Sequence, residues 1–377
     1  MVLGVGIIGC GNISAAYLRL APLFRDIEVR AVADMVPAAA EARAAEFGVR
    51  ADSVDDLLAA DDVDIIVNLT IPDAHVEVTR TALRAGKHVY SEKPLALTLE
   101  DGRSLRDLAA EKGLQVCSAP DTFLGGAHQR ARAVIDAGDV GRIVAGTAHV
   151  MSKGMEHWHP NPDFFFLPGA GPMLDIGPYY VTNLINLIGP VKRVGALTSM
   201  ARTTRRILSE PRRGEDIPVK TPTNIHALLE FANGATVTVS TSWDVFAHRH
   251  ANMELYGTEG AIFVPDPNFF GGDVEVADTE GAITLLEPDN HPFGVANQEG
   301  KDGGPDRANY RTAGLADMAD AIATGRTPRC GIEVALHAVE VMTAVLKSGE
   351  EGRFVDIVST CERPEALSPE AARALMK

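Results

Sequence analysis

Through the first third of the chain, short β-branched apolar runs alternate with amphipathic, alanine-rich stretches. "LGVGII", "EVRAVAD", "VDIIVNLT", "KHVYSE" and "LQVCSA" predict buried strands, because their apolar positions run on with little alternation. "PAAAEARAAEF", "DAHVEVTRTALRAG" and "TLEDGRSLRDLAAEKG" predict helices between them, with Thr98 placed to cap the last. Strand and helix in strict succession imply a parallel sheet with right-handed crossovers. Around residue 122 the rhythm changes. A helix, "HQRARAVIDAG", leads into "GRIVAGTAHVMS", where apolar and polar positions alternate. "KRVGALTSM", "NIHALLEFANG", "ATVTVSTSW" and "NMELYGTEGAIFV" continue as strands, and Asn-Gly in "ANGA" marks a hairpin. This pattern predicts an antiparallel sheet with one covered face and one free to meet another subunit. Helices over "GLADMADAIATG" and "GIEVALHAVEVMTAVLKSG" close the second part, and the arginine-rich stretch 200–222 reads as an exposed excursion.

The length, 377 residues, favours two domains over one core, and the change of rhythm puts them at 1–121 and 122–377. No apolar run approaches the roughly 18 residues that span a bilayer. "MVLGVGIIGCGN" has no basic leader and reads straight into structure. Cys10, Cys117, Cys330 and Cys361 are scattered without a CxxC pair, which fits a reducing cytoplasm rather than a disulfide framework. A formal charge of −16 repels nucleic acid and anionic membranes, so a small-molecule partner is expected.

"GVGIIG" at 4–9 matches GxGxxG, but those residues are the strand itself, and the motif's glycines belong in the turn that follows. The better frame is "GCGNIS" at 9–14, with Ser14 in the third glycine's place. Gly9 makes the turn, Gly11 lets a pyrophosphate approach the backbone, and the helix opening at Asn12 and Ile13 offers free N–H groups. Asp34 ends the second strand at the spacing of an acid that bonds ribose hydroxyls. A carboxylate there accepts the 2′-hydroxyl of NAD and repels the 2′-phosphate of NADP, and Met35 beside it offers no phosphate donor. NAD is the expected cofactor. A tight turn followed by a surface acid is the plainer alternative.

"AGKHVYSEKPLA" at 85–96 ends a strand in Glu92-Lys93-Pro94, and "GAGPMLDIGPYY" at 169–180 presents Asp175 and Tyr179 four residues apart. With the turn at 9–14, "TIPDAH" at 70–75 and "ELYGTEGAIFVPDP", the chain resembles the Gfo/Idh/MocA family of sugar and polyol dehydrogenases over nearly its whole length. That resemblance implies an N-terminal Rossmann domain and a C-terminal α/β domain whose large, mostly antiparallel open sheet forms homodimers or homotetramers. It implies Thr70, Pro72, His75, Glu92 and Lys93 as cofactor contacts, with Lys93 between nicotinamide and substrate. The family's D-x-G-x-H signature falls on Asp175, Gly177 and Tyr179, with tyrosine where the histidine acid/base usually stands.

Oxidising a carbinol sends a hydride to the nicotinamide and a proton to a base within hydrogen-bond reach. Lys93 and Tyr179 are both candidates. A phenol serves only if its ionisation falls from about 10 toward neutrality, which a neighbouring ammonium favours and Asp175 opposes. If Lys93 is the base, Asp175 and Tyr179 hold sugar hydroxyls instead. Pro178 implies a distorted turn between them. In "EHWHPNPDFFF", Trp158 offers a stacking face and His159 a hydroxyl partner, and Asp121 joins the candidate substrate contacts. His157 and His159 lack an evident third partner, so no metal is expected. The phenylalanines at 164–166 serve equally well as core. The expected function is NAD-dependent oxidation of a sugar, cyclitol or glycoside. The alternatives are an NAD-dependent glycoside hydrolase, using transient oxidation and elimination, and a nucleotide-sensing binding protein.

Overall fold

The computed structural model describes residues 2–287, 289–300 and 304–377. The first part runs β1 (Leu3–Ile8), α1 (Ser14–Leu20), β2 (Ile27–Ala33), α2 (Pro37–Phe47), β3 (Arg50–Ala51), α3 (Val54–Ala59), β4 (Ile65–Asn68), α4 (Pro72–Arg84), β5 (His88–Ser91), α5 (Leu99–Lys112) and β6 (Val116–Ser118). All six strands are parallel, in the order β3-β2-β1-β4-β5-β6. Every residue of β1 and β4 is buried, as sandwiching between helix layers requires. Thr98 does cap α5, accepting the N–H of Asp101. The strand order reverses between β1 and β4, and that opens a crevice beyond the strands' carboxyl ends.

The second part begins α6 (Gly126–Ala137), β7 (Ile143–Met151), α7 (Pro172–Asp175), α8 (Gly177–Ile188), β8 (Val191–Ser199), β9 (Thr204–Arg206), β10 (Asp216–Pro218), β11 (Asn224–Phe231) and β12 (Thr236–Ser242). It continues β13 (Met253–Gly257), β14 (Ala261–Val264), β15 (Glu275–Ala277), β16 (Ile283–Leu285), α9 (Ala313–Thr324), α10 (Ile332–Glu351), β17 (Val355–Asp356) and α11 (Pro369–Leu375). Nine strands form one sheet, β16-β15-β14-β13-β7-β12-β11-β8-β17, antiparallel except where β7 meets β12. Helices α6, α8 and α10 bury one face in the largest core cluster. Leu197, Leu228 and Tyr256 stay exposed on the sheet.

Two features differ from the pattern read along the chain. Stretch 200–222 folds into the β9–β10 hairpin, with Ile207, Ile217 and Val219 packed against Met155, Phe165, Phe166 and Trp243. Arg205 is buried there between the carboxylates of Glu156 and Asp244, so its charge is paired rather than solvated. In addition, α9 and α11 return to the parallel sheet and share its core with Val5, Ile7 and Phe123. Bridges Phe24–Met376 and Cys117–Gly331 stitch that return. Among the described residues, no helix is long and apolar enough to cross a membrane.

Candidate active site

Gly9 follows β1 with φ of +103°, and a Cβ there would lie 2.7 Å from the carbonyl of Leu69. Only glycine fits. Nothing lies within 4 Å of the Cβ position of Gly11, so the turn is open where a phosphate would approach. Ser14 is fully buried and donates its hydroxyl to the Gly11 carbonyl at 2.6 Å, fixing the turn to α1. Asn12 is exposed on the turn, and Ile13 precedes the helix. Asp34, just past β2, accepts the N–H of Cys10 at 2.8 Å and that of Val36 at 2.9 Å. Met35 beside it is exposed. Arg43 reaches from α2 to the Gly11 carbonyl at 3.2 Å. A glycine turn closed to a side chain at Gly9 and open at Gly11, with a fixed acid at its mouth, fits a dinucleotide.

Thr70 lies on the loop after β4, where its hydroxyl donates to Asn68 Oδ1 at 2.7 Å, and Pro72 opens α4. His75 is 1% exposed, with Nδ1 2.8 Å from the Pro94 carbonyl and Nε2 3.0 Å from the Thr70 carbonyl. It ties the loop after β4 to the loop after β5 from inside and does not project toward a ligand. Burial pushes its pKa down, against those two carbonyls. Glu92 accepts the Tyr17 hydroxyl at 3.0 Å and the Lys93 N–H at 3.0 Å, so it anchors the loop after β5 onto α1.

Asp175 ends α7 and Gly177 opens α8, with Ile176 as the hinge between them. Pro178 sits in the first turn of α8, where its missing N–H has no partner to lose. The distortion expected at Pro178 is therefore a break into two helices. Lys93 Nζ donates to Asp175 Oδ1 at 2.8 Å and to the Asp175 carbonyl at 2.8 Å, and it stands 5.5 Å over the Tyr179 ring. The two parts of the chain meet here, at the carboxyl end of β5. Burial disfavours the Lys93 ammonium, but Asp175, Tyr179 and Glu92 outweigh it and hold the pKa above the ordinary lysine value. Lys93 is therefore cationic at neutral pH, which counts against it as the proton acceptor.

A model of the Gfo/Idh/MocA oxidoreductase family, NAD-binding Rossmann fold, matches residues 3–119, and its C-terminal-domain model matches 128–263. A dTDP-3,4-didehydro-2,6-dideoxy-alpha-D-glucose 3-reductase of Saccharopolyspora spinosa is 30% identical over 267 residues, covering 69% of this chain and 74% of that protein. The chain belongs to the Gfo/Idh/MocA family. It is an NAD(P)-dependent dehydrogenase or reductase. Levoglucosan dehydrogenase of Pseudarthrobacter phenanthrenivorans is 26% identical over 326 residues, 78% of this chain and 82% of that one. A solved levoglucosan dehydrogenase complex with NADH and L-sorbose superposes with a TM-score of 0.80 at 23% identity, over 95% of this chain and 99% of the other.

In this Gfo/Idh/MocA chain, a cavity of about 280 Å³ opens beside Ile176. Trp158, 62% exposed, lines it with Met155, Pro172, Trp243 and Asn268. His159 is half-buried against Trp158, Phe164 and Phe165, with Nδ1 accepting the Asn161 N–H at 3.1 Å. Burial lowers its pKa, and the charge of Asp175 opposes that. Phe165 and Phe166 are core, whereas Phe164 is exposed. Asp121 differs from its expected place. It is 2% exposed, and Oδ2 accepts the N–H groups of Thr312 and Gly314 at 3.0 Å each, so it holds main chain and not an open substrate site.

Sequence reasoning missed Asn268 and Arg311, whose Nη2 donates to the Asn268 carbonyl at 3.2 Å and to Oδ1 at 3.1 Å. Nothing local in "DPNFFG" or "NYRTAG" marks them as site residues. Among the described residues, no three His, Cys, Asp or Glu side chains converge to hold a metal. A larger cavity, of about 720 Å³, lies among Gln115, Arg329, Ile332 and Cys361. Gln115 precedes β6, so that cavity is at the opposite end of the sheet from the crevice where ligands of such sheets bind.

Proposed function

We propose that the protein transfers a hydride between NAD and a secondary alcohol of a sugar, cyclitol or glycoside, with Tyr179 accepting the proton. The observation that carries this reading is the Lys93–Asp175 ion pair at 2.8 Å set against the Tyr179 ring. NAD, held along Gly9 to Ile13 and by Asp34, supplies the hydride acceptor. Tyr179 takes up the carbinol proton as the phenolate, while Asp175, the other ionisable group of the D-x-G-x-Y segment, is held in its ion pair with Lys93. Lys93 stabilises the negative charge that proton loss leaves on the phenol, and it offers a hydrogen bond to the carbinol oxygen. Asp175 holds Lys93 in place through two acceptors. Trp158, at the cavity rim, stacks on the ring of a sugar or cyclitol, and His159 bonds one of its hydroxyls.

Asp34 supports NAD over NADP, because its carboxylate repels a 2′-phosphate. The exposed Leu197, Leu228 and Tyr256 support a homodimer or homotetramer built on the open sheet. Four unpaired, buried cysteines fit the cytoplasm. The test is a panel of sugars, inositols and glycosides incubated with NAD while NADH is followed. The expected outcome is stoichiometric NADH with at least one free sugar or polyol. Release of an aglycone without net NADH would transfer the reading to hydrolysis by transient oxidation.

A further inference from the structure

The cavity beside Ile176 has one charged side chain in its lining, the ammonium of Lys153, and no carboxylate. Lys153 follows β7, is exposed, and among the described residues takes part in no ion pair. The acids next in sequence to the lining residues are each committed to a cation. Glu156, beside Met155, accepts Arg205 Nη1 at 2.5 Å, and Asp244, beside Trp243, accepts Arg205 Nη2. Asp175, beside Ile176, accepts Lys93 Nζ at 2.8 Å. Glu156 is 3% exposed, so its charge stays behind the wall. Lys153 is therefore a cation facing a cavity with no acid of the chain to answer it.

Asn268 brings a second donor to the same cavity, and its partners fix which way the amide faces. Arg311 Nη2 donates to the Asn268 carbonyl at 3.2 Å and to Oδ1 at 3.1 Å. A guanidinium has donors only, so the side-chain oxygen must face it and the NH₂ group must face away. The Asn268 main-chain N–H is spent on Asp266 Oδ1 at 3.0 Å, and that oxygen is itself held by the Tyr180 hydroxyl at 3.2 Å. Asn268 is thus pinned from both sides. Among the described residues Nδ2 has no protein partner, which leaves its two N–H groups for whatever enters the cavity that Asn268 lines.

We propose that this cavity holds the carboxylate of a sugar acid, with Lys153 supplying the opposite charge and Asn268 Nδ2 a hydrogen bond. The inference rests on the hydride-transfer reading and narrows its substrate from sugars at large to those of the uronate or aldonate type, with the ring against Trp158. The ammonium and the amide nitrogen donate and cannot accept. A neutral sugar's hydroxyls need acceptors for their protons, and no carboxylate lines this cavity to take one. A carboxylate, which only accepts, fits the donors that are present. Its single charge is balanced by one ammonium, whereas a phosphate ester carries roughly two.

The test is binding and turnover of matched pairs, glucose with glucuronate and galactose with galacturonate, on the full chain. Affinity is measured by calorimetry on protein saturated with NADH, and oxidation by the NADH formed from NAD. A uronate should bind about tenfold or more tightly than its neutral partner, and the ratio should shrink as salt is raised. Lys153→Met should remove most of that ratio, and Lys153→Arg, which keeps the charge, should retain it. Asn268→Asp still accepts from Arg311 but presents no N–H to the cavity, so it should lower the ratio as well. Lys153 is exposed, so its two variants decide the matter even if Asn268→Asp fails to fold by circular dichroism. Equal affinities within the pairs, a ratio unchanged in Lys153→Met, or tighter binding of glucose 6-phosphate than of glucuronate overturns the proposal. The underlying reading fails separately. Uronates that bind with preference while no sugar yields NADH remove hydride transfer and leave the carboxylate site standing, and NADH from neutral sugars without a uronate preference does the reverse.

Discussion

Both oxygens of Asp34 are held by main-chain N–H groups, so the carboxylate is fixed at the mouth of the glycine turn, where the proposed function has a ribose edge bind. A 2′-hydroxyl meets an acceptor there; a 2′-phosphate meets an immobile negative charge. NAD should therefore bind about tenfold or more tightly than NADP, a gap of roughly 1.4 kcal/mol. Asp34→Ser should narrow it, helped by Arg43, which already stands at the Gly11 carbonyl and can pair with a phosphate. Dissociation constants for both cofactors decide this, and equal values in the unmodified protein would remove the role given to Asp34. At this scale the sequence was legible where a residue's task is local. Gly9 and Asp34 follow the neighbouring strands β1 and β2, and their places at the strand ends follow from the apolar pattern. Asp121 was not legible, because the amides that occupy it lie far along the chain at Thr312 and Gly314. Nor was the charge state of Lys93, which depends on meeting Asp175 across the domain junction.

Two helices carry histidines that act as hydrogen-bonding struts. On α10, His337 Nε2 accepts the Val191 N–H at 2.9 Å, so its proton sits on Nδ1 and is shared with Ser359 Oγ at 2.9 Å. On α6, His128 faces the Phe269 carbonyl at 2.8 Å through Nε2, and the Asn183 amide at 3.1 Å through Nδ1. Each ring makes one donated and one accepted bond and is therefore neutral. Burial pushes both pKa values down to about 4. In the unfolded chain these rings take protons near pH 6.5. Between about 6.5 and 4 the unfolded state binds more protons, so their contribution is complete above that window and declines as pH falls through it. The loss reaches on the order of 3 kcal/mol for each histidine. Unfolding midpoints in urea should fall steadily from about pH 7 to about pH 5. A flat midpoint over that range would contradict the neutral-strut reading. Long periodic elements such as α5 and α10 were readable from the chain. The two-residue β3 and the short α1 and α3 were too brief to show a period. The β9–β10 hairpin was hidden by its arginines, since sequence shows Arg205 as a charge but not the carboxylates that bury it.

Across the whole molecule, the catalytic reading depends on the end of the parallel sheet meeting the α7–α8 break at one place. The parallel sheet supplies the dinucleotide turn and Lys93 from its carboxyl ends, and the second part supplies Asp175 and Tyr179 from the break between α7 and α8. Helices α9 and α11 return to the core of the first sheet, which ties the halves together around the site. The fold class was visible in the change from continuous to alternating apolar runs near residue 122. The apposition itself was not, because it is a contact between residues 82 apart in sequence. The central claim is that Tyr179 accepts the proton while Lys93 stays charged. It is tested most directly by kcat against pH at saturating substrate for the wild type, Tyr179→Phe and Tyr179→His. The phenylalanine keeps the ring but removes the titrating group, so kcat should fall by about 10²–10⁴-fold, and histidine should restore part of it with a profile shifted toward neutrality. A phenylalanine variant with unchanged kcat and the same pH profile would contradict the account.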